Sequence, residues 1–138
     1  MGESLEHMNL VRELVKWSEL HFSDKNPIIL SDLPESIQKP PKIGRHIPDL
    51  YARDMTTGEI IIGEAKRIAD YTKKGPHKRA VSQLEAFISH LEMEKRGILV
   101  IAVPFYIESA FEEMIVNIKK NYNCKNFKYF FTRESLNS

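Results

Sequence analysis

Residues 98–103 read Ile-Leu-Val-Ile-Ala-Val, an unbroken apolar run rich in β-branched side chains and closed by Pro104. A strand without polar alternation has no face to offer to water, so this run predicts a buried central strand. Apolar character resumes beyond the proline as far as Ile107, ten residues in all. That is half the length needed to cross a bilayer, so the run is a core element and no membrane association is expected. The triplet Ile60-Ile61-Ile62 has the same character and predicts a second strand buried on both faces.

Around these strands the apolar spacing switches to helical period. Leu5, Met8, Val11, Leu14, Val15 and Phe22 recur at intervals of three and four, with Leu10 and Trp17 widening the stripe, so residues 5–22 predict an amphipathic helix. The segment from Asp24 to Lys42 holds Pro27, Pro34, Pro40 and Pro41 and reads as connection, with Ile28-Ile29-Leu30 a short edge strand. A second helix is expected from Pro76, through Ala80, Val81, Leu84, Phe87, Ile88 and Leu91, to a stop at Gly97. Residues 68–75 between them are polar and basic and read as connection. Ile107, Phe111, Met114, Ile115 and Ile118 predict a third helix, and Phe127, Tyr129 and Phe131 a last strand. The expected fold is α/β, a mixed sheet flanked by helices. With 138 residues, no internal repeat and no long linker, a single domain over 1–138 is expected.

The stretches 46–54 and 59–66 are extended in character and flank Met-Thr-Thr-Gly, a polar turn cluster, so they predict a β-hairpin. Side chains two apart on a strand share a face, so Glu64 and Lys66 project together while Gly63 and Ala65 face the other way. A turn centred between Thr56 and Thr57 sets Asp49 opposite Glu64. One centred between Thr57 and Gly58 sets Asp49 opposite Lys66, and both keep all three on one face. Two carboxylates at that separation repel unless a cation lies between them, and a hard divalent ion such as Mg²⁺ suits oxygen ligands. Lys66 beside it would orient a water and offset charge developing on an attacked phosphate. The bland alternative is a solvated charge ladder worth under about 1 kcal/mol per pair, which fits poorly with charges at the end of a buried apolar strand.

Ile47-Pro48-Asp49, then fourteen residues, then Glu64-Ala65-Lys66 after Ile60-Ile61-Ile62, resembles the Pro-Asp…Asp/Glu-x-Lys signature of the PD-(D/E)XK nuclease superfamily. The expected element order over about residues 3 to 103 also resembles that superfamily's restriction-endonuclease-like α-β-β-β-α-β core, leaving an additional C-terminal α-β. The resemblance implies that Asp49 and Glu64, with the carbonyl of Ala65, bind one or two divalent metals and that Lys66 assists the attacking water. It implies further that Gln83, which falls on or beside the inward face of the second helix, points at the metal site or the nucleic acid. A first-helix glutamate reaches the same site in several relatives. Glu3 is the leading candidate, followed by Glu19, with His7 a phosphate or water contact or a partly buried structural histidine.

The 20 basic and 19 acidic residues give a net charge of +1, which excludes a globally polycationic nucleic-acid binder and an acidic tail protein. The cations are nevertheless concentrated around the hairpin. Lys39, Lys42 and Arg45 precede it and Arg67, Lys73, Lys74, Lys78 and Arg79 follow, with only Asp70 opposing the second group. Such a strip suits phosphate backbone contacts; Tyr51 and Tyr71 could stack on bases but are more simply packing residues. The lone Cys124 forms no internal disulfide, and cytoplasmic residence without a secretory signal is expected. The functional expectation is a Mg²⁺- or Mn²⁺-dependent endonuclease acting on DNA in preference to RNA, either structure-selective or nonspecific, with a homodimer or a partner supplying specificity. The alternatives are a non-catalytic nucleic-acid- or protein-binding module and a metal-dependent phosphoesterase acting on small substrates.

Overall fold

A computed structural model describes residues 4–94 and 96–134. At its centre β3 (Ile60–Ala65) and β4 (Gly97–Ala102) lie side by side, parallel and buried along their whole length. β2 (Leu50–Asp54) pairs antiparallel with β3, and β1 (Pro27–Ser31) pairs antiparallel with β2 at one edge. β5 (Phe127–Thr132) lies parallel to β4 at the other, giving a five-stranded mixed sheet in the order β1-β2-β3-β4-β5.

Period-two alternation divides the apolar residues of β3 and β4 between two cores. Ile61, Ile98, Val100 and Ala102 face α1 (Leu5–His21), which contributes Leu10, Val11 and Leu14. Ile60, Ile62, Leu99 and Ile101 face α3 (Lys74–Glu94) and α4 (Glu108–Tyr122). The two β strands that are apolar on both faces are therefore those with helices on both sides. Among the described residues no helix is long and apolar enough to cross a membrane.

The hairpin turns at residues 55–58. Asp54 accepts hydrogen bonds from the N–H groups of Thr56 and Thr57 and from the Thr57 hydroxyl, and Gly58 takes a φ of +78° that favours glycine. The pairing of Leu50 with Gly63 and Tyr51 with Ile62 matches a turn centred between Thr56 and Thr57, the register that sets Asp49 opposite Glu64. A Cβ on Gly63 would lie 3.1 Å from Leu14 and from Leu50, so glycine lets α1 settle onto the sheet one residue before Glu64.

Several local expectations are corrected. Residues 68–72 form a short helix, α2 (Ile68–Thr72), whose start is fixed by Asp70 accepting from the Arg67 N–H at 2.8 Å. Five residues are too few to display helical period. α3 begins at Lys74, two residues before Pro76. The stretch before Leu50 is not strand: Ile43 and His46 close a tight turn through reciprocal backbone hydrogen bonds of 2.7 and 3.0 Å, with Gly44 at φ +61°. Leu5, included in the α1 stripe, is exposed, and the buried line runs Leu10, Val11, Leu14, Ser18.

Gly97 starts β4 directly against α3, where an added Cβ would come within 2.8 Å of the Leu91 Cβ and 3.2 Å of its Cα. Because the obstacle includes backbone, Gly97→Ala is expected to destabilise the protein by about 1–3 kcal/mol in chemical denaturation.

Candidate active site

The register carries Asp49, Glu64 and Lys66 to one end of the sheet, where all three are buried beside Gln83 of α3. The Asp49 N–H donates to Glu64 Oε1 at 2.9 Å, and the Ala65 N–H donates to Asp49 Oδ2 at 2.8 Å. These two bonds extend the β2–β3 contact past the last ladder pair and fix both carboxylates. His7 Nε2 of α1 stands 3.2 Å from Asp49 Oδ1. Lys66 Nζ lies 3.0 Å from Glu64 Oε2 and donates to Gln83 Oε1. An ammonium has three donors, so one remains to be directed into the space in front of the site.

Burial and the charge of Asp49 push Glu64 up to about 8, although Lys66 opposes the shift. Burial raises Asp49 too, but the hydrogen bond and charge of His7, with the Ala65 N–H and Glu64, hold it below the usual carboxylate range. Without a further cation the pair therefore keeps one proton at neutral pH. The raised value has a defined consequence for stability. The native state retains a proton that the unfolded chain releases near 4.5, so this contribution is complete below pH 4.5 and is lost as pH rises through about 8. Denaturant midpoints of the metal-free protein are expected to fall across pH 5–8 relative to those of Glu64→Gln, which carries no titrating group there. Parallel slopes would contradict the assignment. His46, lowered by burial and by Arg79, Lys66 and Arg45, contributes a slope of opposite sign that is common to both proteins.

The donor set fits a hard divalent cation. Two carboxylates share a buried site, and Mg²⁺ is commonly held by one or two carboxylates with water completing its shell, although here it would have to displace the donors that Asp49 and Glu64 already have. Asp49 and Glu64 would hold it. Among the described residues, no group of three or more His, Cys, Asp or Glu side chains is gathered as a metal cluster. Ala65 lines the cleft and engages Asp49 through its N–H.

In front of these residues opens a cleft of about 830 Å³, on whose walls lie Lys42, Arg45, Arg67 and Arg79. Lys42, Arg45 and Arg79 make no ion pair among the described residues, and with Arg67 they make the cleft wall cationic. Arg67 differs, since its Nη1 donates to Ser4 Oγ at 2.9 Å, the same oxygen that caps α1 by accepting from the His7 N–H at 3.1 Å. It ties the start of α1 over the site. Of the remaining cations proposed for nucleic acid, Lys74 and Lys78 line a second groove and Lys73 lines neither. Lys39 donates to the Leu33 carbonyl. Glu3 lies outside the described residues. Glu19 is exposed and is displaced from the site: it follows His7 by twelve residues, about 18 Å along α1.

Two cleft residues escaped the sequence reading. Asp32, after β1, donates its N–H to the Asp49 carbonyl at 2.9 Å, and His46 bonds to Ser82 Oγ at 2.9 Å. Both belong to irregular backbone, where no periodicity signals direction. No protein-family model, curated protein or solved structure matches the chain, so what this site can do rests on its own geometry.

Proposed function

We propose that the chain is a divalent-cation-dependent nuclease that hydrolyses phosphodiester bonds of DNA in preference to RNA. The observation that carries this reading is the buried Asp49–Glu64 pair, with Lys66 Nζ 3.0 Å from Glu64, at the floor of a cationic cleft. The order α1, β1, β2, β3, α3, β4 supports a PD-(D/E)XK-type core, with α4 and β5 as the additional pair. When bound, Mg²⁺ or Mn²⁺ would polarise a phosphoryl oxygen and acidify water. The protein's own residues do the rest. Gln83 and Glu64 hold the Lys66 ammonium in place, and its remaining donor orients the attacking water or meets charge developing on the phosphate. Arg45 and Arg79 hold the phosphate backbone at the cleft wall. One such site cuts one strand, so cutting both calls for a second copy of the chain or a protein partner.

A second reading has its own support. Each oxygen of the two carboxylates already has a donor within the protein, as in a self-satisfied binding module. The distinguishing experiment is a cleavage panel of linear, single-stranded, branched and RNA substrates, run beside a small phosphate ester, with Mg²⁺ and with Mn²⁺. Metal-dependent cleavage of DNA supports the nuclease. Salt-sensitive binding without cleavage supports the module, and turnover of small phosphate esters alone supports a phosphoesterase.

A further inference from the structure

The first three turns of α3 present two different faces to solvent. Gly75, Pro76, Arg79 and Gln83 line the catalytic cleft, whereas Lys74, Lys78 and Ser82, four residues apart, line a separate groove of about 610 Å³. The helix thus forms a ridge between cleft and groove. The groove's other wall carries Tyr71, exposed and set edge-on to His77 with ring centroids 5.0 Å apart. Tyr71 is braced from behind by Phe111 at 5.8 Å, and His77 Nδ1 meets the Tyr71 carbonyl at 2.7 Å.

We propose that this groove is a second nucleic-acid subsite, which takes an unpaired nucleotide of the strand entering the cleft. The ligand's identity rests on the nuclease reading; the chemistry of the groove supports it separately. Lys74 and Lys78 make no ion pair among the described residues and stand ready for a phosphate. Tyr71 is an exposed ring whose orientation is fixed by two aromatic neighbours, which suits stacking on a base. Only an unpaired base offers its face, because duplex bases are already stacked on one another. At the far end the groove meets Glu85, whose carboxylate accepts from the Tyr122 hydroxyl at 3.0 Å, and an adjoining cavity adds Glu113. These carboxylates repel a phosphate chain and favour a backbone path along Lys74 and Lys78, while Tyr71 and His77 also line the cavity that holds Glu113. The strand therefore crosses the ridge, a distance set by the helix diameter of about 10 Å.

The test is metal-free binding, with chelator present, of a labelled blunt duplex and of the same duplex bearing a single-stranded tail with 2-aminopurine along it. Tyr71→Ala and the double variant Lys74→Ala/Lys78→Ala are each expected to weaken the tailed substrate about tenfold and leave the blunt duplex unchanged. Tyr71→Phe should retain both the affinity and the 2-aminopurine quench. The lysine variant leaves the Tyr71–Phe111 packing intact, so it reports even where Tyr71→Ala loosens the fold. Equal losses on both substrates, no loss on either, or displacement of the tail by polyglutamate as readily as by oligonucleotide would overturn the subsite. Tail-specific loss in a protein that never cleaves supports the groove and removes the nuclease. Cleavage without tail-specific loss removes the groove and leaves the nuclease standing.

Discussion

Lys66→Ala is expected to lower metal-dependent cleavage by between about 10²- and 10⁴-fold while leaving divalent-cation binding in place. The lower bound is the cost of deleting one preorganised electrostatic donor, and the upper is the loss of assisted proton transfer. The variant should fold at neutral pH. Burial and Asp49 already push Glu64 up to about 8, and removing Lys66 takes away an interaction that opposed the shift, so Glu64 accommodates the loss by staying protonated. Lys66→Arg should not rescue the rate, since a planar guanidinium cannot occupy the narrow position between Glu64 and Gln83 in the way a tetrahedral ammonium does. Single-turnover cleavage beside circular dichroism of the same preparations separates a catalytic loss from an unfolded sample. Wild-type rates in Lys66→Ala would remove Lys66 from the mechanism.

Phe87→Ala carries the largest expected effect on stability, a loss of about 3–5 kcal/mol in denaturant unfolding. Phe87 is fully buried on α3 in the core shared with β3, β4 and α4. It also lies edge-on to His46 at 6.4 Å, where the turn carrying Arg45 rests on α3. Truncation leaves a cavity that the rigid β3–β4 pair cannot collapse to fill. The same helix presents Gln83 to Lys66, one turn away. A loss under about 1 kcal/mol would mean that α3 is not anchored to the sheet through this residue.

Much of this architecture can be read from residue order, because continuous apolar runs and helical stripes report burial directly. Ile60-Ile61-Ile62 and residues 98–102 lie in the two fully buried strands, and Glu64 and Lys66 share the face that period two assigns them. The register remained open between two choices, since both keep Asp49, Glu64 and Lys66 together; the Asp54 turn and the fit of Gly63 under Leu14 select one. Where backbone is irregular the signal fails. Residues 46–49 resemble a strand in composition but leave the Ile43–His46 turn as irregular backbone, and α2 is too short to show a period. Glu19, second among the first-helix candidates, is removed by distance along the α1 axis, which helical phase does not encode. The basic strip is continuous in sequence yet divided in space, because Lys78 and Arg79 are about 100° apart around α3 and enter different grooves.

The most direct test of the account is calorimetric titration of Mn²⁺ and Mg²⁺ into the purified protein at pH 7, in two buffers of different ionisation enthalpy. A cation seated between Asp49 and Glu64 must displace the proton that Glu64 holds, so binding should release about one proton per chain. Asp49→Ala should abolish both the binding and the release. Absence of a binding isotherm in the wild type, or an isotherm unchanged in Asp49→Ala, would contradict the cation site on which the proposed chemistry depends.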